Sequence, residues 1–235
     1  MEMQMKRLTT GLTTAAAAFA ALAVAAPAHA WIVTGGGTQI TNEGYTTSVL
    51  GTIVQDFNSL PLDVNLNTAG YSGGMVRIGN IGGTTASPPG NTSRYLSVGP
   101  GNNGTSTFTA PDLLSYFGFF WGSPDTYNTL RVYRGSTLLQ SWAGETLWDL
   151  VRTTAAPGCN LGDIADGQQG KCAYVNIYAG NASQWFDRVS FVSTQNAFET
   201  DNHAIAVVPV PGALLLLATG LLGLGLVARR EPVAA

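Results

Sequence analysis

Trp121, Asp125, Tyr127 and Asn128 fall within eight positions of one another and combine an aromatic face with a carboxylate, a phenol and an amide. Proteins hold sugars with such a set. An aromatic ring with a polar handle covers the C–H groups of a pyranose, and the polar side chains bond its hydroxyls. The same residues also have an architectural reading. Pro124 pre-sets a turn, the side chains of Asp125 and Asn128 can bond nearby backbone amides, and Trp121 and Tyr127 would cap the edge of a sheet. Farther on, Glu199 and Asp201 are two positions apart, so on an extended strand they share a face. With neighbouring carbonyls they would offer hard oxygen ligands to Ca2+, or they are simply solvated carboxylates at a sheet edge. Asp163 and Asp166 lack the spacing of an EF-hand loop.

Motifs for catalysis are missing. His203 is the one histidine between residues 31 and 207, so any histidine-dependent triad there must use it. The chain has no His-Glu-x-x-His helix, and its glycine-rich runs lack the lysine and helix that cradle phosphate. A pair of carboxyl groups at glycosidase spacing is a matter of three-dimensional distance and stays open here. The expectation is a protein without catalytic residues. Cys159 and Cys172 have no cluster of histidine partners to make a metal site. In an oxidising compartment they are expected to form a disulfide. It closes a Gly-rich polar loop and stabilises by about 3 kcal/mol on the loop-entropy model.

The elements that must hold these groups read as strands. Arg94–Val98 and Thr105–Thr109 are short runs rich in β-branched and aromatic residues, and the Gly-Asn loop between them suggests a hairpin. Ser115–Trp121 sets Phe117, Phe119 and Trp121 on one face and Tyr116, Gly118 and Phe120 on the other, the mark of a central strand covered on both sides. Leu130 and Val132 alternate inward, and Gly135-Ser136 is a two-residue turn into 137–142. Further strands are expected at 174–178, 186–192 and 204–208, and the run Thr84 to Ser93 is expected as a surface loop. One short helix is expected over 145–152, with Leu147, Leu150 and Val151 on its buried face. Many short strands between Gly and Asn turns indicate an all-β fold, an antiparallel sandwich of jelly-roll type.

Both ends are apolar. Lys6 and Arg7 precede an Ala-rich stretch from Gly11 to Ala26, and Ala28-His29-Ala30 satisfies the small-x-small rule. Residues 1–30 therefore read as a secretory signal, handled by the translocon and signal peptidase, with Trp31 as the mature N-terminus. At the other end Val208-Pro209-Val210-Pro211-Gly212 is followed by an uncharged run from Ala213 to Ala228 and then Arg229-Arg230. As a helix that run would reach roughly 24 Å, at about 1.5 Å per residue. This is short for a hydrocarbon core of about 30 Å. The arginine pair would be held on the cytoplasmic side. An ordinary single-span anchor is the alternative reading of the same residues.

The order of these three parts resembles the PEP-CTERM sorting signal of exosortase substrates, in its Val-Pro-x-Pro variant. Val208, Pro209 and Pro211, the Gly/Leu-rich helix and Arg229-Arg230 match, while Val210 stands where the name-giving glutamate would be. The resemblance implies that an exosortase removes the helix and that the domain is released or transferred outside the inner membrane. The segment from Tyr116 to Leu130 is similar to a stretch of exosortase-dependent surface proteins: an aromatic strand ending in Trp-Gly-Ser, then an Asp-x-Tyr-Asn turn. The run Phe198 to Asn202 resembles the approach to the last strand of many exported jelly-roll domains.

Three parts are thus expected: a signal peptide at 1–30, a β-domain at 31–207 and a sorting tail at 208–232 with a transmembrane helix at 213–228. The middle part has seven basic residues against nine Asp and three Glu and no basic patch, so nucleic acid is not an expected partner. The resemblances imply a surface or matrix component associated with extracellular polysaccharide. A carbohydrate-binding module, Ca2+-dependent or not, and a simply anchored periplasm-facing protein are the alternatives.

Overall fold

The computed structural model describes residues 30–154 and 159–208. The signal segment before Ala30 and the sorting residues Pro209, Val210, Pro211, Arg229 and Arg230, with the apolar run 213–228, lie outside the described residues. Among the described residues no helix is long and apolar enough to cross a membrane.

The described chain is all-β apart from one short α-helix and single turns of 3-10 helix. Its strands are β1 (Ile32–Gly35), β2 (Thr38–Ile40), β3 (Gly44–Thr46), β4 (Ile53–Gln55), β5 (Asn65–Thr68), β6 (Tyr71–Ile78), β7 (Arg94–Val98), β8 (Thr105–Gly122), β9 (Asn128–Arg134), β10 (Thr137–Ala143), β11 (Cys172–Tyr178), β12 (Phe186–Ser193) and β13 (Phe198–Val207). The helix α1 (Gly144–Val151) follows β10. Every pairing between these strands is antiparallel.

The long strand β8 organises the molecule. Its first part pairs with β12 and β6, through Phe108 opposite Val189 and Tyr71. Its second part pairs with β11 and β13, through Phe120 opposite Tyr174 and Asp201. One strand therefore belongs to both layers, and the sheet folds over itself into a sandwich. Phe117 and Phe119 of the second part face Phe191 of β12 across the core, with ring centroids 6.0 and 5.2 Å apart. Leu130, Val132 and Val189 fill the same core and are fully buried. The opposite face of β8 carries a smaller cluster of Phe120, Tyr174, Tyr45 and Cys172. Tyr45 comes from the β2–β3 hairpin, and Gly44 is required there: its φ is +72°, and a Cβ would lie 2.1 Å from the Phe120 ring. The expectation of a central strand apolar on both faces is met.

Three expectations are corrected. Arg94–Val98 and Thr105–Thr109 do not form a hairpin: β7 pairs with β6 and β13, and the Thr105–Thr109 part of β8 pairs with β12 and β6. In α1, Trp148 joins Leu147 and Val151 on the buried face, while Leu150 is 44% exposed. The run from Thr84 to Ser93 is not simply a surface loop. Thr85, Ala86 and Asn91 are buried because their polar groups meet carboxyls of β13.

Candidate functional site

Residues on the outer face of β13 lie opposite those on the outer face of β8. Glu199 is registered on Gly122 and Asp201 on Phe120, so both carboxyls point away from the aromatic core and under the loop from residue 80 to 91. Gly122 has no side chain for a reason: a Cβ there would come within 2.6 Å of the Pro88 backbone, which packs directly over the strand. The loop thus closes over Glu199.

Glu199 is 2% exposed. Its Oε1 accepts from the Ala86 N–H at 2.9 Å and from the Thr85 hydroxyl at 3.3 Å. Its Oε2 is buried and has no hydrogen-bond partner among the described residues. Burial, reinforced by the nearby Asp125 charge, pushes the Glu199 carboxyl up to about 8, so at neutral pH it holds its proton. It lines a cavity of about 320 Å3 whose other walls are the turn from Asn80 to Ala86, Gly167 and Gln169 of the disulfide loop, and Asn196.

The disulfide forms as expected. Cys159 and Cys172 are joined, with Cα atoms 5.0 Å apart. Cys172 opens β11 and is registered on Gly122, so the bond pins the loop beside the cavity. Several contacts hold the loop in place. Gly167 donates its N–H to Asp125 at 2.6 Å, and Asp166 accepts from the amide and hydroxyl of Thr126. Ser123 donates to the Gln169 carbonyl at 2.9 Å, and the Trp148 indole N–H reaches the Gly162 carbonyl at 3.0 Å.

The segment after β8 takes the architectural course. Trp121 is fully buried against Phe198 and Trp148, with centroids 5.3 and 6.3 Å away, and presents no face to solvent. Asn128 is also fully buried. Its carbonyl accepts from the Asp125 amide and its NH2 donates to the Ser193 hydroxyl. Tyr127 donates its hydroxyl to the Asn196 carbonyl at 2.7 Å. The four residues therefore do not form an exposed sugar platform; they fasten the turn and, through Asp125 and Tyr127, two walls of the Glu199 cavity. Asp125 is pushed up to about 6, chiefly by burial and then by Asp166. Tyr127 is raised by burial and by the same acidic neighbours.

Glu199 and Asp201 share a face as expected, but they are buried rather than solvated, and each is bonded to donors of its own. The Asp201 carboxyl takes the Asn91 amide on one oxygen and the Asn202 N–H, at 2.7 Å, on the other. Burial raises its pKa. Among the described residues no group of three or more His, Cys, Asp or Glu side chains converges. His203 is 2% exposed, bonded to the Tyr71 hydroxyl at 2.8 Å and the Thr200 hydroxyl at 2.9 Å, and stacked on Phe191. Burial lowers it to about 3, so it is neutral. Sequence reasoning found Glu199 and the loop cysteines but missed Thr85, Ala86, Gln169 and Asn196. A buried acid needs donors, and the Thr84–Ala86 run was the signal available.

No family model matches this chain, and no curated protein does either. Among solved structures it is similar to the K2 cleaved adhesin domain of Lys-gingipain (Kgp), at 10% identity and a TM-score of 0.38, over 67% of this chain and 99% of that one.

Proposed function

We propose that this chain is a non-catalytic exported protein, sorted by an exosortase and placed at the cell surface or in the extracellular matrix, where it associates with polysaccharide. The observation that carries the export step is the Cys159–Cys172 bond. Such bonds persist where the compartment is oxidising, and here the bond holds a loop with few apolar groups of its own. The Ala28-His29-Ala30 motif and the Val208-to-Arg230 tail supply the addresses on either side.

The position of the last strand supports the sorting part of the reading. Val208, first residue of the Val-Pro-x-Pro motif, still donates its amide to the Leu113 carbonyl at 2.9 Å. Pro209, the next residue, has no N–H to continue the ladder. The motif thus begins directly after β13. The non-catalytic part rests on the enclosure of His203 by aromatic rings.

Replacing Pro209 and Pro211 by Ala tests the sorting step. The variant should still enter the membrane but stay there at full length, while the wild type is recovered shortened and outside. Equal processing of both would refute it.

A further inference from the structure

The cavity beneath the turn from Asn80 to Ala86 has a built floor. Glu199 is 2% exposed, lies against this space, and holds one oxygen, Oε2, with no partner among the described residues. A buried carboxyl oxygen left without a partner costs stability. The fold bears that cost at a position where Oε1 is fixed by two donors, so the direction of Oε2 is set in advance. The volume, about 320 Å3, is at the small end of ligand pockets, which begin at about 300 Å3.

The lining selects a chemistry. Among the described residues no Lys or Arg side chain contributes to it, which disfavours an anion. Glu199 is its one acidic side chain, too few for a calcium ion that takes six to eight oxygens. Gln169 gives its carbonyl to Ser123, which leaves its amide N–H groups for the cavity. The protonated Glu199 carboxyl and the Gln169 amide thus line one space, and a hydroxyl, which donates and accepts, can pair with both. Ile81, 39% exposed on the same wall, supplies an apolar edge for C–H groups.

We infer that this cavity binds a neutral, hydroxyl-rich ligand about the size of one sugar ring, held by the Glu199 carboxyl and the Gln169 amide. The inference deepens the matrix reading by naming a site for its polysaccharide partner. It is tested by binding alone, so its failure leaves the sorting experiment untouched.

The test is saturation-transfer NMR on the full-length chain in detergent, with glucose, galactose, mannose and N-acetylglucosamine, and separately titration with CaCl2 alone. Gly82→Phe is the main variant: Gly82 lines the cavity and a Cβ there meets no atom within 4 Å, so a ring placed at the mouth leaves the core undisturbed. At least one sugar should bind the wild type, and Gly82→Phe should abolish its signal. Glu199→Leu should weaken binding by roughly tenfold or more, the scale of one hydrogen bond to an acid. No sugar bound by the wild type, binding that survives Gly82→Phe, or calcium bound without any sugar would each overturn the assignment.

Discussion

Gly167 donates its backbone N–H to the Asp125 carboxyl at 2.6 Å, which ties the disulfide-closed loop to the turn that follows the central strand. Two segments 42 residues apart are joined there, and Gly167 is itself part of the wall of the Glu199 cavity. The loop has little apolar surface of its own, so its position depends on this bond, on Thr126–Asp166 and on the disulfide.

Removing the disulfide should therefore loosen one wall of the cavity as well as the fold. Cys159→Ser with Cys172→Ser should cost about 3 kcal/mol in urea denaturation. Hydrogen exchange should rise over residues 160–170 and less elsewhere. Unchanged stability and protection would show that the loop is held without the bond.

The buried acids make stability fall as pH rises. Glu199 titrates near 8 in the folded chain and at its ordinary 4.5 unfolded. Between those values the folded state keeps a proton that the unfolded state has lost. The contribution is thus complete below about pH 4.5 and gone above about pH 8. Asp125, raised to about 6, acts in the same direction at lower pH. Glu199→Gln should be close to neutral at pH 4.5 and stabilising at pH 8. A melting temperature difference that does not change with pH would contradict the protonated carboxyl.

His203 works in the opposite direction. Its folded value of about 3 lies below the ordinary 6.5, so acid favours the unfolded state, which takes up the proton first. Its stabilising share is present above about pH 6.5 and is lost as pH falls toward 3. His203→Gln should therefore destabilise more at pH 7 than at pH 4, read from urea midpoints at the two values. Equal losses would mean that the ring is charged or exposed.

Trp121 and Tyr127 separate structure from display. Trp121→Ala empties a fully buried site between Phe198 and Trp148 and should cost about 3–5 kcal/mol. Tyr127→Phe removes the bond to the Asn196 carbonyl and should cost about 1 kcal/mol. A stable Trp121→Ala variant would reopen the exposed-platform reading.

The core strands were legible because alternation alone specifies them: Phe117, Phe119, Leu130 and Val132 are inward in both sequence and structure. The two-residue turn at Gly135-Ser136 joins β9 to β10, with Arg134 opposite Thr137. Long-range choices were not legible. β6 pairs with both β7 and the Thr107–Phe108 part of β8, and no local pattern in residues 94–109 reports it. The cavity was hidden for a related reason. Glu199 and Asp201 look like solvated edge acids until Ala86 and Asn91, more than 100 residues earlier, fold over them.

Intact mass of the protein recovered from its own cells, with and without alkylation under native-thiol conditions, tests the central claim most directly. The account predicts a chain that starts at Trp31, lacks Arg229 and Arg230, and takes up no alkyl group because Cys159 and Cys172 are bonded. A full-length chain from the cytoplasm with both thiols alkylated would contradict it.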